Sequence, residues 1–243
     1  MPRFKIIIQY DGTNYCGWQS QNNGIAVQKV LENIIGEFNN GKHIKLTGAG
    51  RTDSGVHALG QTAHFDLKTH LDTCTLLKAI NAKCPSDISV IKCDTVSSEF
   101  HARFSAVRRI YKYQCYFGTN PLLKNQCWFL SEPSIDRLNS LADKIIGVGD
   151  FLSFSKWSGE KKNTECEIFQ SVWNKVNNMV IFTISANRFL HHMVRYLIGT
   201  MIAVEQNKYS EENFIQLLNI PKKNVALYKA PAQGLILEKV IYE

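Results

Sequence analysis

The chain has 243 residues, of which 44% are hydrophobic and 20% are charged, a composition typical of folded globular proteins rather than disordered ones. Lys and Arg number 28 against 21 Asp and Glu, so the formal net charge is +7. This excess favours an anionic partner such as nucleic acid, an acidic membrane surface or a phosphorylated substrate. Ordinary solvated surface charge explains it about as well, so charge alone does not assign a partner.

Neither a metal site nor a membrane span is predicted. The seven cysteines form no Cys-x-x-Cys pair and no metal-finger spacing, which indicates reduced and mostly buried thiols of a cytoplasmic protein. The longest apolar segment, 189–204, is interrupted by His191, His192 and Arg195. It is therefore unsuited to crossing a bilayer. The first residues enter a strand-like run directly and lack signal-peptide architecture.

Hydrophobic periodicity divides the chain into strands of period 2 and helices of period 3.6. The first half is predicted to contain strands Phe4–Tyr10, Gln61–Leu67 and Ile88–Val96 and helices Ala26–Phe38 and Leu71–Ala82. The second half is predicted to contain strands Val107–Phe117, Glu167–Val176, Met179–Ala186 and Leu235–Tyr242 and helices Ser134–Ile146, Arg188–Glu205 and Ser210–Leu218. This content predicts two α+β units, 1–100 and 101–243, with the groove between them as the expected site.

The segment Gly48–Gly60 carries the clearest chemical signal. It holds four glycines, so we expect an irregular loop rather than a helix or strand. Within it lie Arg51, Asp53 and His57. An arginine two residues away favours the ionised carboxylate that a nucleophile or general base needs. The competing interpretation is that Asp53 caps a helix or closes an Asx turn.

Polar residues recur at helical spacing in the predicted helix Arg188–Glu205. Arg188, His191, His192, Arg195 and Gly199 follow steps of one, three or four. We expect this stripe to face either an anion, with Asp53 as the candidate, or water, because an unpaired buried charge is costly. Adjacent histidines point about 100° apart on a helix and no His-Glu-x-x-His is present, so a zinc site is not predicted.

Five ordered segments resemble the tRNA pseudouridine synthase A family. The active-site signature of that family is similar to Gly50–Gln61. Other motifs of the family, which span nearly the whole chain, resemble Tyr10–Gln21 with Val27 and Gln28, Phe100–Ala106 with Arg109–Tyr111, Ala186–Arg195 with Gly199 and Thr200, and Ala230–Leu235. One departure is Ser54, where the family usually has alanine; its hydroxyl is expected to be tolerated and to hydrogen-bond locally.

The resemblance implies that Asp53 is the essential aspartate of an enzyme that detaches uracil from ribose, rotates it and rejoins it through C5. Attack by the carboxylate on the base and assistance to its departure from the sugar both remain open. The chemistry is redox-neutral and breaks no phosphate bond, so no cofactor is expected. Tyr111 corresponds to the tyrosine that stacks on the target base, and Arg195 to the arginine that pairs with the catalytic carboxylate. Without the motif, Tyr111 would be interpreted as a core residue.

The remaining site residues are assigned to RNA or substrate binding. Basic residues interleaved with aromatics suit phosphate contact plus stacking, although about half of these charges are expected to be plain surface. Trp18 fits the edge of the site and the protein core equally well. The assigned residues are Arg51, Thr52, His57, His101, Arg103, Arg109, Trp18, Gln19, His191, Lys161 and Lys162.

The implied fold is α+β, with two ferredoxin-like halves joined into one mixed, mainly antiparallel sheet that has a central cleft. The implied partner is tRNA, modified at positions 38, 39 and 40 of the anticodon stem-loop by a homodimer. Three alternatives remain: a paralogue acting on another RNA, an RNA-binding module without catalysis, and an Asp-based hydrolase. The last would need a second carboxylate motif or a metal cluster beside Asp53, and the sequence offers neither.

Overall fold

In the computed structural model, which describes residues 1–21, 24–157 and 163–243, two compact units divide the chain. The first comprises Met1–Val107 together with Ile236–Glu243, and the second comprises Arg108–Leu235. The sequence placed the division near residue 100 and assigned the closing strand to the second half. The structure instead returns residues 236–243 to the first unit, because that strand pairs with a strand there.

The first unit has the strand order of a ferredoxin-like fold. Strand β1 (Arg3–Tyr10) pairs antiparallel with both β3 (His57–Asp66) and β4 (Ile88–Val96). A two-residue strand, β2 (Thr47–Gly48), adds to β3. Near its start, β3 also pairs in parallel with β10 (Leu235–Tyr242), which is the last strand of the chain.

Alternating hydrophobicity forms the core of this unit. Phe4, Ile6, Ile8 and Tyr10 of β1 all point inward and are buried, as expected for a strand with one covered face. Helices α1 (Val27–Glu37) and α2 (Thr73–Asn81) supply further buried apolar residues. Helix α2 begins where the Asp72 carboxylate accepts a hydrogen bond from the Thr75 amide at 2.7 Å, which satisfies one of the unpaired amides of a helix start.

The second unit is an antiparallel sheet with helices packed beside it. Strand β5 (Ala106–Tyr116) begins in the first unit and pairs with β9 (Met179–Ala186), β9 pairs with β8 (Glu165–Val176), and β8 with β7 (Gly147–Asp150). A short strand, β6 (Trp128–Phe129), lies parallel to β5. The helices are α3 (Ile135–Asp143), α4 (Met193–Glu205) and α5 (Glu211–Asn219).

The α+β class with mainly antiparallel pairing is therefore confirmed, and two expectations are wrong in detail. The loop Gly48–Gly60 is not irregular throughout, because β2 ends at Gly48 and β3 begins at His57.

Gly60 lies within strand β3, where only a residue without a Cβ fits, because a Cβ there would lie 2.5 Å from the Glu238 carbonyl oxygen of β10. Close approach of two backbones, rather than a turn, explains that glycine.

The second error concerns the start of α4, which was predicted at Arg188. The helix begins at Met193, and His192 before it has a left-handed φ of 64°. Asn187 extends the sheet pairing instead: its amide donates to the Glu167 carbonyl at 3.1 Å, and its side-chain oxygen accepts from the Glu167 amide at 3.0 Å. The predicted polar stripe does not exist as a helical face, since only Arg195 and Gly199 of its members lie in the helix.

Candidate active site

Asp53 lies in a turn whose backbone is held by the segment that follows β1. The Gly55 amide donates to the Tyr15 carbonyl at 3.3 Å, and the Ser54 hydroxyl donates to the same oxygen at 3.2 Å. The Val56 amide donates to the Asp53 carbonyl at 3.2 Å, which closes the turn. The Asp53 side chain is half-buried. The sequence predicted a local hydrogen bond for Ser54, whereas its partner Tyr15 lies 39 positions away in the chain.

Thr52 fixes the other side of this turn. Its carbonyl accepts from the Trp18 amide at 3.2 Å, and its hydroxyl lies 2.8 Å from the Tyr10 hydroxyl. Both side chains are buried, so this hydrogen bond is shielded from water. Burial raises the pKa of Tyr10, which keeps its hydroxyl protonated.

Gly17 allows the two segments to approach closely. Its φ is +103°, and a Cβ there would stand 2.4 Å from the Thr52 carbonyl oxygen and 3.1 Å from the Asp53 carbonyl carbon. Only glycine fits such a position without displacing the turn. The N-terminal motif therefore positions the backbone of the turn that carries the aspartate.

His57 lies behind the turn rather than on the surface. Only 6% of it is exposed, and its Nδ1 accepts a hydrogen bond from the Gly12 amide at 3.0 Å. The same nitrogen lies 3.1 Å from Asp11 Oδ1. Burial pushes the pKa of Asp11 upward, but hydrogen bonds from the Thr13 hydroxyl and amide hold it below its ordinary value.

The other first-unit residues predicted for the site differ in exposure. Arg51 is exposed, Gln19 is half-buried, and Trp18 is 2% exposed with its ring stacked 6.2 Å from that of Tyr10. A Cβ on Gly48 would meet the Trp18 indole nitrogen at 2.4 Å. Of the two interpretations left open for Trp18, packing in the core agrees with this burial.

In the second unit, Tyr111 lies on β5 opposite Ile184 of β9. Only 8% of it is exposed, and its ring meets that of Phe189 edge to face, with centroids 5.2 Å apart. Two strand positions before it, Arg109 donates from its guanidinium to the Asn187 carbonyl at 2.7 Å. These contacts join β5 to the segment that precedes α4.

Arg195 connects two motifs that are far apart in the sequence. Its Nε donates to the Ala230 carbonyl at 2.8 Å, and the Ala230 amide donates back to the Arg195 carbonyl at 3.0 Å. A Cβ on Gly199 would stand 2.4 Å from the Tyr228 carbonyl oxygen. Gly199 thus lets the chain around Tyr228–Ala230 lie directly on α4. Only Arg195, Tyr196 and Glu205 of this helix are not fully buried.

The histidines that precede α4 are closely spaced. The His191 and His192 rings have centroids 4.0 Å apart, and the His191 carbonyl accepts from the Lys156 amide at 3.0 Å. His191 is exposed, while His192 is half-buried. Lys161 and Lys162 lie outside the residues that the structure describes.

Inside the first unit, the structure places Thr52 and Asp53 in one turn, with the Trp18 amide bonded to Thr52 and His57 buried behind it. Inside the second, Arg109 and Tyr111 meet the segment before α4. Sequence reasoning missed Tyr15, whose carbonyl accepts two hydrogen bonds from the turn, and Ala230, the partner of Arg195. Backbone carbonyls leave no signal in a sequence. The two glycines do: Gly17 lies where the chain approaches the Asp53 turn, and Gly199 lies where it approaches Tyr228 and Ala230.

Within the described residues, no helix has the length and apolar character needed to cross a membrane. A family model described as tRNA pseudouridine synthase matches residues 6–105 and 141–243. The chain belongs to the tRNA pseudouridine synthase family. Curated relatives extend this match to nearly the full length of both proteins.

A tRNA pseudouridine synthase A from Azobacteroides pseudotrichonymphae genomovar. CFP2 is 40% identical over 245 aligned residues, which cover 100% of this chain and 97% of that protein. One from Thermoanaerobacter sp. (strain X514) is 38% identical and covers 100% of both chains. One from Ehrlichia chaffeensis (strain ATCC CRL-10679 / Arkansas) is also 38% identical, covering 99% of this chain and 100% of that one. The resemblance found in the motifs is therefore confirmed across the chain.

Proposed function

We propose that this protein is an isomerase that converts uridine to pseudouridine in tRNA, with the Asp53 carboxylate as nucleophile. The reaction breaks the bond between N1 of uracil and C1′ of ribose and forms a bond from C5 to C1′. The C5 hydrogen leaves as a proton and N1 gains one, so electrons and atoms balance without an oxidant. The attack of the carboxylate on the base and its assistance at the sugar remain the two routes.

The observation that carries this proposal is the fixed backbone on both sides of Asp53. Thr52 is held through its carbonyl and hydroxyl, and Ser54 and Gly55 are held by the Tyr15 carbonyl. The carboxylate is only half-buried. A nucleophile gains most when its position is fixed before substrate binds, because orientation then costs little at the moment of reaction.

Tyr111 and Arg195 are the other proposed catalytic residues. Tyr111 presents an aromatic ring suited to stacking on a uracil that has been flipped out of its helix. Arg195 is the proposed cationic member of the catalytic set, held in place through Ala230. The family resemblance supports both roles.

The finer expectations form part of the same proposal. The target uridines are positions 38, 39 and 40 of the anticodon stem-loop, and the enzyme works as a homodimer in the cytoplasm. A role in RNA or substrate binding is proposed for Arg51, Thr52, His57, His101, Arg103, Arg109, Trp18, Gln19, His191, Lys161 and Lys162. His57 and Trp18 are buried, so their role is to support the turn and its core packing rather than to contact RNA directly.

The test is tritium release from tRNA transcribed with 5-tritiated uridine. Wild type is expected to release tritium and Asp53→Asn to release none, because formation of the C5 bond expels that hydrogen. Asp94→Asn is the matched control, since it removes the same charge from β4 and is expected to remain active. Equal release by wild type and Asp53→Asn would refute the role of Asp53.

Failure of folded wild type to release tritium from any tRNA would refute tRNA isomerisation and redirect the search to other RNAs. Tyr111→Phe keeps the ring and removes the hydroxyl. Retained activity in this variant, together with loss in Tyr111→Ala, would assign Tyr111 to stacking alone. Mapping the modified uridines in the product tests the anticodon assignment.

A further inference from the structure

Phe104 is an apolar residue that the first unit holds out into solvent. Its side chain is 75% exposed, and it lies in a short turn, residues 101–105, between β4 and β5. Single exposed apolar residues are common and need no explanation when they are mobile. The turn around Phe104 is not of that kind, because its backbone is fixed by several hydrogen bonds.

His101 is the centre of these bonds. Its Nδ1 faces the amides of Arg103 and Phe104 at 3.2 and 3.3 Å. The His101 amide donates to the Ser105 hydroxyl at 3.0 Å, and the Ser105 amide donates to the His101 carbonyl at 2.9 Å. The imidazole therefore lies under the turn and fixes the direction in which Phe104 leaves the backbone.

Ala102 attaches the turn to the sheet. Its amide donates to Nδ1 of His64 on β3 at 3.1 Å, and its carbonyl accepts from the Tyr242 hydroxyl of β10 at 2.7 Å. Ala102 itself is fully buried. Two strands of the sheet thus hold the turn from beneath.

Aromatic rings continue this support from the surface into the core. The Phe104 ring lies 4.4 Å from the His101 ring at an interplanar angle of 32°. His101 lies 4.9 Å from His64, and Phe100 lies 6.1 Å from His64 and 5.0 Å from Tyr242. One face of Phe104 is therefore supported by protein, while most of the side chain stays exposed.

One cation borders this ring, and a second, which is ion-paired with Asp94, borders the neighbouring Phe100. The Arg103 guanidinium lies 5.5 Å from the Phe104 centroid, and Lys5 lies 5.7 Å from that of Phe100. Burial lowers the pKa of the adjacent His64 to about 4, with further lowering by Arg3, His101 and Lys45 and an opposing effect of Asp66. Positive potential beside a fixed aromatic face suits a polyanion that carries planar bases.

We propose that Phe104 is a stacking platform for one unpaired base of the RNA substrate, with Arg103 contacting the neighbouring phosphate; this rests on the proposed function. A protein partner is the weaker fit. A stable protein interface buries about 800 Å² per partner, and this turn offers one large apolar side chain beside charged ones. A single ring with a guanidinium next to it matches the size of one nucleotide.

The experiment uses an unmodified tRNA transcript and the variants Phe104→Ala, Phe104→Leu and Phe104→Trp. Loss of one base stack is expected to weaken tRNA binding roughly 5- to 100-fold in Phe104→Ala. Phe104→Leu is expected to resemble Phe104→Ala because it keeps the apolar contact and loses the ring face. Phe104→Trp is expected to restore binding. The kcat for tritium release should stay near wild type while KM rises.

Salt dependence separates the two residues of the platform. Arg103→Ala is expected to reduce the slope of log Kd against log salt by about one phosphate contact, whereas Phe104→Ala leaves that slope unchanged. Ile91→Ala, which removes a 47% exposed apolar side chain from β4, is the control and is expected to bind tRNA as wild type does.

The platform and the proposed function fail in different ways. Active wild type with unchanged tRNA affinity in folded Phe104→Ala would overturn the platform alone. Weaker binding in Phe104→Ala without rescue by Phe104→Trp, accompanied by a change in sedimentation, would also overturn it and assign the ring to contact between copies of the chain. Folded wild type that binds tRNA through Phe104 but releases no tritium would refute the isomerase and leave the platform standing.

Discussion

The hydroxyl of Tyr10 lies 2.8 Å from the hydroxyl of Thr52, the residue directly before Asp53, and both side chains are buried. Tyr10 ends the first strand of the chain, so this bond joins the sheet to the turn that carries the proposed nucleophile. If Asp53 is the nucleophile, as proposed, this bond helps to fix the position of its carboxylate.

Removal of this hydrogen bond is expected to reduce both stability and activity. Thr52→Val keeps the shape of the side chain and removes one of two hydrogen-bond partners of the Tyr10 hydroxyl, the other being Gln61, at a cost of about 1 kcal/mol in the free energy of unfolding. We expect kcat to fall more than KM changes. Urea unfolding of Thr52→Val, Tyr10→Phe and the double variant measures the coupling. Strictly additive losses would show that the two hydroxyls do not stabilise each other.

Gly17→Ala tests the close approach to the Asp53 turn. The added Cβ would meet the Thr52 carbonyl at 2.4 Å at a φ of +103°, so we expect a loss of unfolding free energy of about 2–4 kcal/mol and severe loss of tritium release. Gly147→Ala is matched in backbone strain, with a φ of +102°, but has nothing within 4 Å. Equal losses in the two variants would exclude a specific effect of the contact with Thr52.

Arg195→Lys tests the positioning of the proposed catalytic cation. A lysine keeps the charge but lacks the Nε that donates to the Ala230 carbonyl. We expect tritium release to fall by about 10- to 100-fold, because small misplacements of catalytic groups have effects of that size, with little change in melting temperature. Wild-type kcat in Arg195→Lys would show that the bond to Ala230 plays no part in catalysis.

His64 predicts a pH dependence of stability. Its pKa is lowered to about 4, primarily by burial, whereas an unfolded histidine titrates near about 6.5. Between these values only the unfolded chain binds the proton, so stability falls as pH decreases from about 6.5 to 4, by at most about 3 kcal/mol. The charged or titratable groups that act on it are Arg3, His101, Lys45 and Asp66.

His64→Asn is the variant that isolates this effect, since its side-chain oxygen can still accept from the Ala102 amide. Urea unfolding of wild type and variant is compared at several pH values between 7.5 and 4. We expect the stability of wild type relative to the variant to decrease through that window. A constant difference would contradict the lowered pKa.

Most elements were predictable because their burial is regular. Strands β4 and β9 have the predicted bounds, Ile88–Val96 and Met179–Ala186. Burial alternates along most of β9, and in β4 it alternates up to a register shift at Ile91. Two-residue strands such as β2 and β6 have no periodicity to detect. The start of α4 was placed too early because Phe189 and Leu190 extend the apolar spacing, while the left-handed His192 leaves no signal in a periodicity.

The sequence could supply candidate site residues but not the contacts between them. Asp53, Tyr111 and Arg195 were recognised from motifs, but the bonds from Tyr10 to Thr52 and from Arg195 to Ala230 join residues far apart in sequence. His57 is an example. The sequence assigned it to RNA or substrate binding, whereas in the fold it lies under the turn and accepts a hydrogen bond from the Gly12 amide. Pairing partners of this kind depend on the tertiary fold, which no local pattern encodes.

The parallel pairing of Ile236 with His57 also constrains how the protein is made. On the ribosome, β3 emerges long before β10, because the whole of Arg108–Leu235 is translated between them. Until then the backbone of β3 next to the Asp53 turn lacks this strand partner, and such an open edge invites wrong pairing. The nascent chain therefore finishes the sheet beside its proposed nucleophile only after the second unit has been synthesised.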